Sequence, residues 1–445
     1  MFSMQCGLVF DSTTIRTTSM TGCSAANMDD GFTTHQQLQL NKRKNLKFDE
    51  DWCGTRFVII DEISFLEVDT LMKIDSNLRI FKNKREDMFG KVNLIFCGDQ
   101  WQLPPVKHRN KSLHTCPSAQ WSSINSVIFL ESNHRFQNDP LWGLILERIR
   151  TSTCTEEDMN IINSRLLSDT VKLQNNVNYC YACPQNNQRN VISDSVFESF
   201  VAATHSQDEN VAPPENTVII LGSLYDSNGN LHSNEYHQFI YKNCGDASVK
   251  SGTKLIDPRL CLYDSCPVML STNDHLIKAG YANGTLCSFQ GYSLKPNTEK
   301  LIMKYAGYYV NAVKATDIDY LLVKKWDDTV TDNPQQTGLK VSAKKDTVSI
   351  KIKHRGIHVP DMKIKIFQFP ILNAIAITGH KLQGLSKDNL VVVDFDYRTP
   401  QWIYVALSRV RTRTGLFLMK KFDMTKLRKP DRRLVAEDNR LRSLE

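Results

Sequence analysis

Phe57-Val58-Ile59-Ile60-Asp61-Glu62-Ile63-Ser64 and, one unit later, Asn93-Leu94-Ile95-Phe96-Cys97-Gly98-Asp99-Gln100-Trp101-Gln102-Leu103-Pro104-Pro105 decide the fold class. Each is a short apolar run that stops abruptly in acids or amides. A run of this length between polar flanks reads as a buried strand of a parallel sheet. Residues 69–81 between them read as a helix, so the stretch is a strand–helix–strand unit and the class is α/β. Open α/β sheets bind ligands at the carboxyl ends of their strands. Asp61, Glu62, Asp99 and Gln102 therefore share one rim. An Asp-Glu pair there can hold Mg2+ through the first acid and position water with the second, as nucleoside-triphosphate hydrolysis requires. A helix N-cap with an acidic first turn is the plain alternative. Gly98-Asp99-x-x-Gln102-Leu103-Pro104-Pro105, arriving one strand later, favours the chemical reading.

Outward from this unit, 445 residues are too many for one core, and two or three domains are expected. Residues 1–150 form a first α/β lobe, with further strands at 14–18 and 127–130. Residues 151–284 begin a second lobe: Thr155-Glu156-Glu157-Asp158 opens a helix in capping-box style, 179–182 is a strand, and a helix runs through Phe200. Residues 205–260, rich in Asn, Ser and Gly, read as irregular insertion. Residues 285–368 show short alternating runs, the pattern of a small antiparallel barrel. Residues 369–445 return to α/β character and end in a basic tail.

The net charge of +7 permits nucleic-acid binding without demonstrating it. Much of the excess lies in Lys420-Lys421, Lys426 to Lys429 and Arg432-Arg433, which read equally well as a solvated terminal helix. No apolar run is long enough to span a bilayer. The opening residues lack the regions of a signal peptide. Twelve cysteines without regular spacing fit a reducing compartment. Cys180 and Cys183 have no second pair at zinc-site spacing and read as part of a strand. The expectation is an intracellular protein without a membrane partner.

Other residues can carry chemistry. Arg135 follows the 127–130 run, and Arg409 lies in Tyr404-Val405-Ala406-Leu407-Ser408-Arg409. A guanidinium stays charged and donates to several oxygens, which suits a transferring phosphoryl group. One from each side of a cleft could neutralise its charge. His380-Lys381-x-Gln383-Gly384 supplies donors after a buried strand, for phosphate or a nucleic-acid backbone. Trp101, Phe136 and Tyr281 are either stacking platforms for single-stranded bases or core residues.

In this order, these segments resemble the Pif-type (petite integration frequency) branch of superfamily-one DNA helicases. The resemblance begins at Thr21-Gly22-Cys23-Ser24-Ala25-Ala26 with Gly31 to His35. It runs through Asp61 to Ser64, Gly98 to Val106 and Arg135, then Pro267 to Leu270 with Asn283-Gly284-Thr285. It ends in Ala374 to Gly384 and Tyr404 to Arg411. It implies two RecA-like lobes with ATP between them, single-stranded DNA across their tops, and 5′-to-3′ movement at duplex junctions. It also implies work in DNA repair, recombination or telomere maintenance, with the nucleus a likelier site than the mitochondrion. Carried over, Asp61 serves Mg2+ and Glu62 activates water. Gln102 senses the γ-phosphate, and Arg135 and Arg409 are arginine fingers. Asp99, Gln383 and Gly384 contact nucleotide. Thr33, His35, Trp101, His380 and Lys381 face DNA.

The sequence departs from this family in one respect that matters. It contains no G-x-x-x-x-G-K-[ST] phosphate loop; its Gly90-Lys91 pair is followed by Val92. Met1 falls about where the helix after that loop should be. Without the lysine and the backbone cradle, several charge-assisted hydrogen bonds to phosphate are lost, each worth roughly 1.5–3 kcal/mol. An incomplete gene model or a degenerate mobile-element copy, with little or no ATPase activity, is therefore expected. A non-catalytic remnant that binds single-stranded nucleic acid and an RNA helicase of the same superfamily are the other readings. Gly379 also stands where the family usually has a β-branched residue.

Overall fold

Strand β1 (Ile15–Ser19) runs parallel to both β2 (Phe32–Thr33) and β3 (Phe57–Asp61), and β3 runs parallel to β4 (Asn93–Phe96), giving the order β2-β1-β3-β4. This is the first lobe of a computed structural model that describes residues 13–28, 31–41, 46–105, 111–116, 118–131, 134–174, 177–225, 259–272, 281–326, 347–359 and 362–445. Residues 1–12, Val106 and, of the expected insertion, 226–258, all used in the sequence reading, lie outside these. Short helices α1 (Gly22–Ala25) and α2 (Thr34–Gln37) follow β1 and β2. Between β3 and β4 runs α3 (Val68–Phe81), which buries Val68, Leu71, Ile74, Leu78 and Phe81 in one helical stripe. Its buried Asp75 accepts from the Arg79 guanidinium, the Gln120 amide and the Phe89 N–H, so the charge is fully partnered. The chain then passes through α4 (Ala119–Ser122).

Residues 127–130 do not form the expected strand. They carry no ladder pairing among the described residues, and Ile128 and Leu130 stand 81% and 91% exposed. Among the described residues strand β4 is paired on one side only, to β3, and its Leu94, Ile95 and Phe96 stay half-buried. Apolar alternation makes a strand only where a neighbour supplies hydrogen bonds.

Helix α5 (Pro140–Thr151) lies almost wholly before residue 151, the expected start of the second lobe, yet its Trp142, Ile145, Leu146 and Ile149 pack in the core of the second lobe. Phe136 and Leu103 lie in that same core. Helix α6 (Glu156–Asn163) starts with the expected capping box between Thr155 and Asp158. Strand β5 (Cys180–Cys183) and α7 (Asn186–Thr204) follow. Cys180 and Cys183 are buried in β5, and burial pushes the Cys183 thiol up to about 12, so it stays protonated.

Strands β6 to β17 then build a β-rich unit between residues 218 and 373. They are β6 (Val218–Leu221), β7 (Ser223–Tyr225), β8 (Arg259–Leu262), β9 (Pro267–Leu270), β10 (Leu286–Leu294), β11 (Leu301–Tyr305), β12 (Tyr308–Lys314), β13 (Ile318–Lys325), β14 (Thr347–Ile350), β15 (Lys353–Val359), β16 (Met362–Gln368) and β17 (Ile371–Asn373), and the described pairings form three sheets ordered β14-β13-β10-β9-β17, β11-β12-β6-β8 and β15-β16-β7. This unit begins earlier than residue 285, because the expected irregular insertion contains β6 (Val218–Leu221). Val218, Ile219 and Ile220 are fully buried, and β6 pairs parallel with β12 (Tyr308–Lys314).

The second lobe closes with β18 (Ala376–Thr378), α8 (Gly379–Leu382), β19 (Leu390–Val392), α9 (Trp402–Leu407) and β20 (Leu416–Leu418). Its parallel sheet has the order β18-β5-β19-β20. The basic tail ends in α10 (Arg432–Arg442), which is solvated along much of its length, with Leu434 alone buried, but has one side against the protein. It docks on the first lobe: the Trp101 and Trp121 indoles donate to Asp438 at 3.0 Å and Glu437 at 2.7 Å, and Arg442 lies 4.3 Å over the Phe129 ring.

Candidate functional site: a crevice between two parallel sheets

The carboxyl end of β3 delivers Asp61 and Glu62. Asp61 accepts a hydrogen bond from Ser24 Oγ at 2.6 Å, a contact from α1 just after β1. Glu62 sits in the left-handed region at φ 57°, which costs a non-glycine residue of order 1 kcal/mol and aims its side chain across the crevice. The returning chain after β4 crosses directly above. A Cβ on Gly98 (φ 140°) would lie 2.9 Å from Ile63 N, so only glycine lets this loop pass.

Glu62 meets the second lobe. Gln383 Nε2 donates to Glu62 Oε2 at 3.1 Å and to Ser64 Oγ at 2.7 Å. A Cβ on Gly384 would be 3.6 Å from Glu62 Oε1. Burial raises the Glu62 carboxyl above the ordinary carboxylate range and the neighbouring Asp61 adds to the rise, while the Gln383 amide and Arg409 oppose it. A carboxyl so placed is suited to accepting a proton from water.

Arg409 is 1% exposed and follows α9. Its guanidinium donates to Val405 O, Leu385 O and Ser408 Oγ at 2.9, 3.3 and 2.8 Å. Burial and the nearby Arg135 push it down to about 10. Arg135 Nη1 donates to Ser408 O at 3.4 Å. Because Phe136 belongs to the second-lobe core, both arginines stand on the same side of the crevice. The expectation of one guanidinium from each side is thereby corrected: the first lobe supplies the acids and the second both cations.

Asp99, expected to contact nucleotide, is partly exposed and already partnered by three protein groups. Its carboxylate accepts from Arg150 Nη2 at 2.8 Å, the Trp101 N–H at 2.9 Å and the Tyr404 hydroxyl at 3.3 Å. Gln102 lies in the same turn, its N–H on Asp99 O. Gln102 Oε1, Gln383 Oε1 and both side-chain polar atoms of Gln100 are buried with no hydrogen-bond partner among the described residues. Buried polar atoms left this way mark a place that a polar ligand or water completes.

The residues expected on a nucleic-acid track are less uniform. Trp101 is 7% exposed, with its indole tied to Asp438, so it is no stacking platform. Phe136 and Tyr281 are core residues. Thr33 is 4% exposed and caps α2, its hydroxyl bonded to Gln36. His35 is half-buried in α2, and burial lowers its pKa. His380 packs beside the Phe65 ring at 6.5 Å, and Lys381 Nζ donates to Asn283 Oδ1 at 3.0 Å. Gly379 is explained by packing: a Cβ there would lie 2.3 Å from the Trp402 indole nitrogen.

Sequence reasoning missed Ser24, Ser64, Gln100, Arg150 and Tyr404 as members of the site. Ser24, Ser64, Gln100 and Tyr404 fall inside quoted segments, Ser64 and Gln100 just past strand ends and Ser24 and Tyr404 within helices, and nothing beyond their polarity marked them. Arg150 lies in an ordinary amphipathic helix and carries none.

Comparison with known proteins agrees with this geometry. Residues 8–142 match the model of the PIF1-like helicase family. The ATP-dependent DNA helicase PIF1 of Emericella nidulans is 30% identical over 151 residues, covering 31% of this chain and 20% of that protein. The ATP-dependent DNA helicase PIF7 of Trypanosoma brucei is 23% identical over 425 residues, covering 91% of this chain and 40% of that protein. The chain thus spans well under half the length of these curated relatives. A structure of Bacteroides Pif1 helicase in complex with ADP-AlF3 and ssDNA aligns with a TM-score of 0.63 at 20% identity, over 98% of this chain and 89% of that one. That likeness shows the fold, two RecA-like lobes, and the resemblance to the Pif-type helicases stands.

Proposed function

We propose that this chain, whose first lobe matches the PIF1-like helicases, is the motor region of an ATP-dependent 5′-to-3′ DNA helicase of the Pif type. One observation carries the reading: Glu62 of the first lobe is bonded across the crevice to Gln383 of the second, beside Arg409 and Arg135. An acid facing two guanidiniums is the arrangement that γ-phosphate cleavage needs. Of the partnerless atoms, Gln100 Nε2 can donate to a terminal phosphate oxygen, while the Oε1 atoms of Gln100, Gln102 and Gln383 are acceptors suited to the hydrogens of water. Mg2+ would be held by Asp61, with the phosphates completing its shell, and would supply charge neutralisation there. Glu62 orients water and takes its proton, and Arg409 and Arg135 stabilise the charge that develops on the departing phosphoryl group. Single-stranded DNA, named with the Bacteroides relative, is the proposed track.

The lack of a Gly-rich phosphate loop in the sequence favours a second reading for the 445-residue chain by itself, namely strand binding without turnover. Two measurements test these readings together. Fluorescence anisotropy with labelled single-stranded DNA should show binding that weakens steeply with salt. DNA-stimulated ATP turnover should be near background. A flat salt response contradicts backbone tracking, and brisk turnover contradicts the requirement for the loop.

A further inference from the structure

Arg150 belongs to α5 of the second lobe, yet its guanidinium lies against the first. It pairs with Asp99 at 2.8 Å and lies 5.3 Å from the Trp101 ring centroid and 6.0 Å from that of Tyr404. Both partners of the ion pair are largely shielded, at 20% and 23% side-chain exposure. Shielding of this order lifts a charge pair above the exposed kind, which contributes little. Asp99 in turn organises its own loop, accepting from the Trp101 N–H through its carboxylate and from the Gln102 N–H through its carbonyl. Tyr404, its third partner, sits five residues before Arg409, whose Nε donates back to Val405 O. The same few atoms therefore connect the turn that carries Gln102 to the helix that Arg409 directly follows.

We infer that Arg150 is a positioning residue: its guanidinium, paired with Asp99 and lodged between the Trp101 and Tyr404 rings, holds the Gln102 loop in register with the helix before Arg409. Leu103, buried in the second-lobe core, anchors that loop without orienting it, because apolar contact is non-directional. The charged, planar fork supplies the orientation. Asp99 thus acts on the nucleotide site through Arg150 and Tyr404 and not by touching nucleotide. In that last respect the inference rests on the proposed function; the tie between the two loops does not.

Hydrogen–deuterium exchange on the full chain, with no nucleotide present, tests the tie. Arg150→Met keeps the bulk and removes the charge. It should speed exchange at residues 99–103 at least tenfold while the amides of β3 and β19 keep their rates. Asp99→Asn should do the same, and the double variant should add nothing. Arg150→Lys, which keeps the charge and loses the fork, should fall between wild type and Arg150→Met. Unchanged exchange at 99–103, uniform acceleration across both lobes, or Arg150→Lys no better than Arg150→Met would overturn the inference. Should Arg150→Met fail to fold, Asp99→Asn and Tyr404→Phe carry the test, since both preserve shape. Failure of the chain to bind nucleotide would count against the proposed function and leave these rates unaffected.

Discussion

Asp158 shows how a single carboxyl ties stability to pH. It is buried and accepts from Arg148 Nε at 2.7 Å, Arg148 Nη2 at 2.5 Å and the Thr155 N–H at 3.0 Å. The Arg148 hydrogen bonds lead in holding its pKa at about 2, below the ordinary 3.8. A depressed carboxyl stabilises the fold fully above its unfolded pKa and loses that contribution as pH falls through the folded value. Urea unfolding should therefore show up to about 2 kcal/mol lost between pH 4 and pH 2 on this account. Asp158→Asn should flatten that part of the profile, and an unchanged slope would remove Asp158 from it. Gly379 makes a steric prediction at the same scale. Gly379→Ala drives a methyl into the Trp402 indole and should cost about 1–3 kcal/mol in urea unfolding at constant m-value. Trp402→Phe in the same background should recover part of the loss.

Among the elements, those with a strong period were legible in the sequence. Strand β3 and helix α3 form where apolar spacing places them, and the Thr155–Asp158 box starts α6. The failures have physical causes. Strand β6 is four apolar residues inside polar composition, and its partner β12 is some ninety residues away, so local pattern could not reveal it. The 127–130 run has strand character but no ladder neighbour among the described residues. Helix α5 shows its apolar stripe plainly, yet a stripe does not say which core will receive it. Helix α10 was the least legible, because Trp101 and Asp438 are 337 positions apart. Deleting residues 431–445 should strip Trp101 and Trp121 of their acidic partners and uncover both rings. Tryptophan emission should shift red and the first lobe should melt several degrees earlier. Unchanged emission and melting would show that α10 merely rests on the surface.

On the scale of the whole molecule, the site is a property of two sheets meeting. Sequence order brought Asp61, Glu62, Asp99 and Gln102 to one rim, and the structure keeps them there. What sequence could not supply was the opposite wall. Arg135 stands on the second lobe because Phe136 is drawn into that core, and Trp101 faces a tail helix instead of solvent. In the proposed function Glu62, presented by the first lobe and bonded to Gln383 of the second, handles the proton of attacking water. Steady-state ATP turnover tests it most directly, measured with single-stranded DNA on a protein in which a Gly-rich phosphate loop precedes residue 13. Glu62→Gln should lower turnover by about 100-fold or more while nucleotide affinity stays within a few-fold. Turnover that survives this substitution would contradict the account.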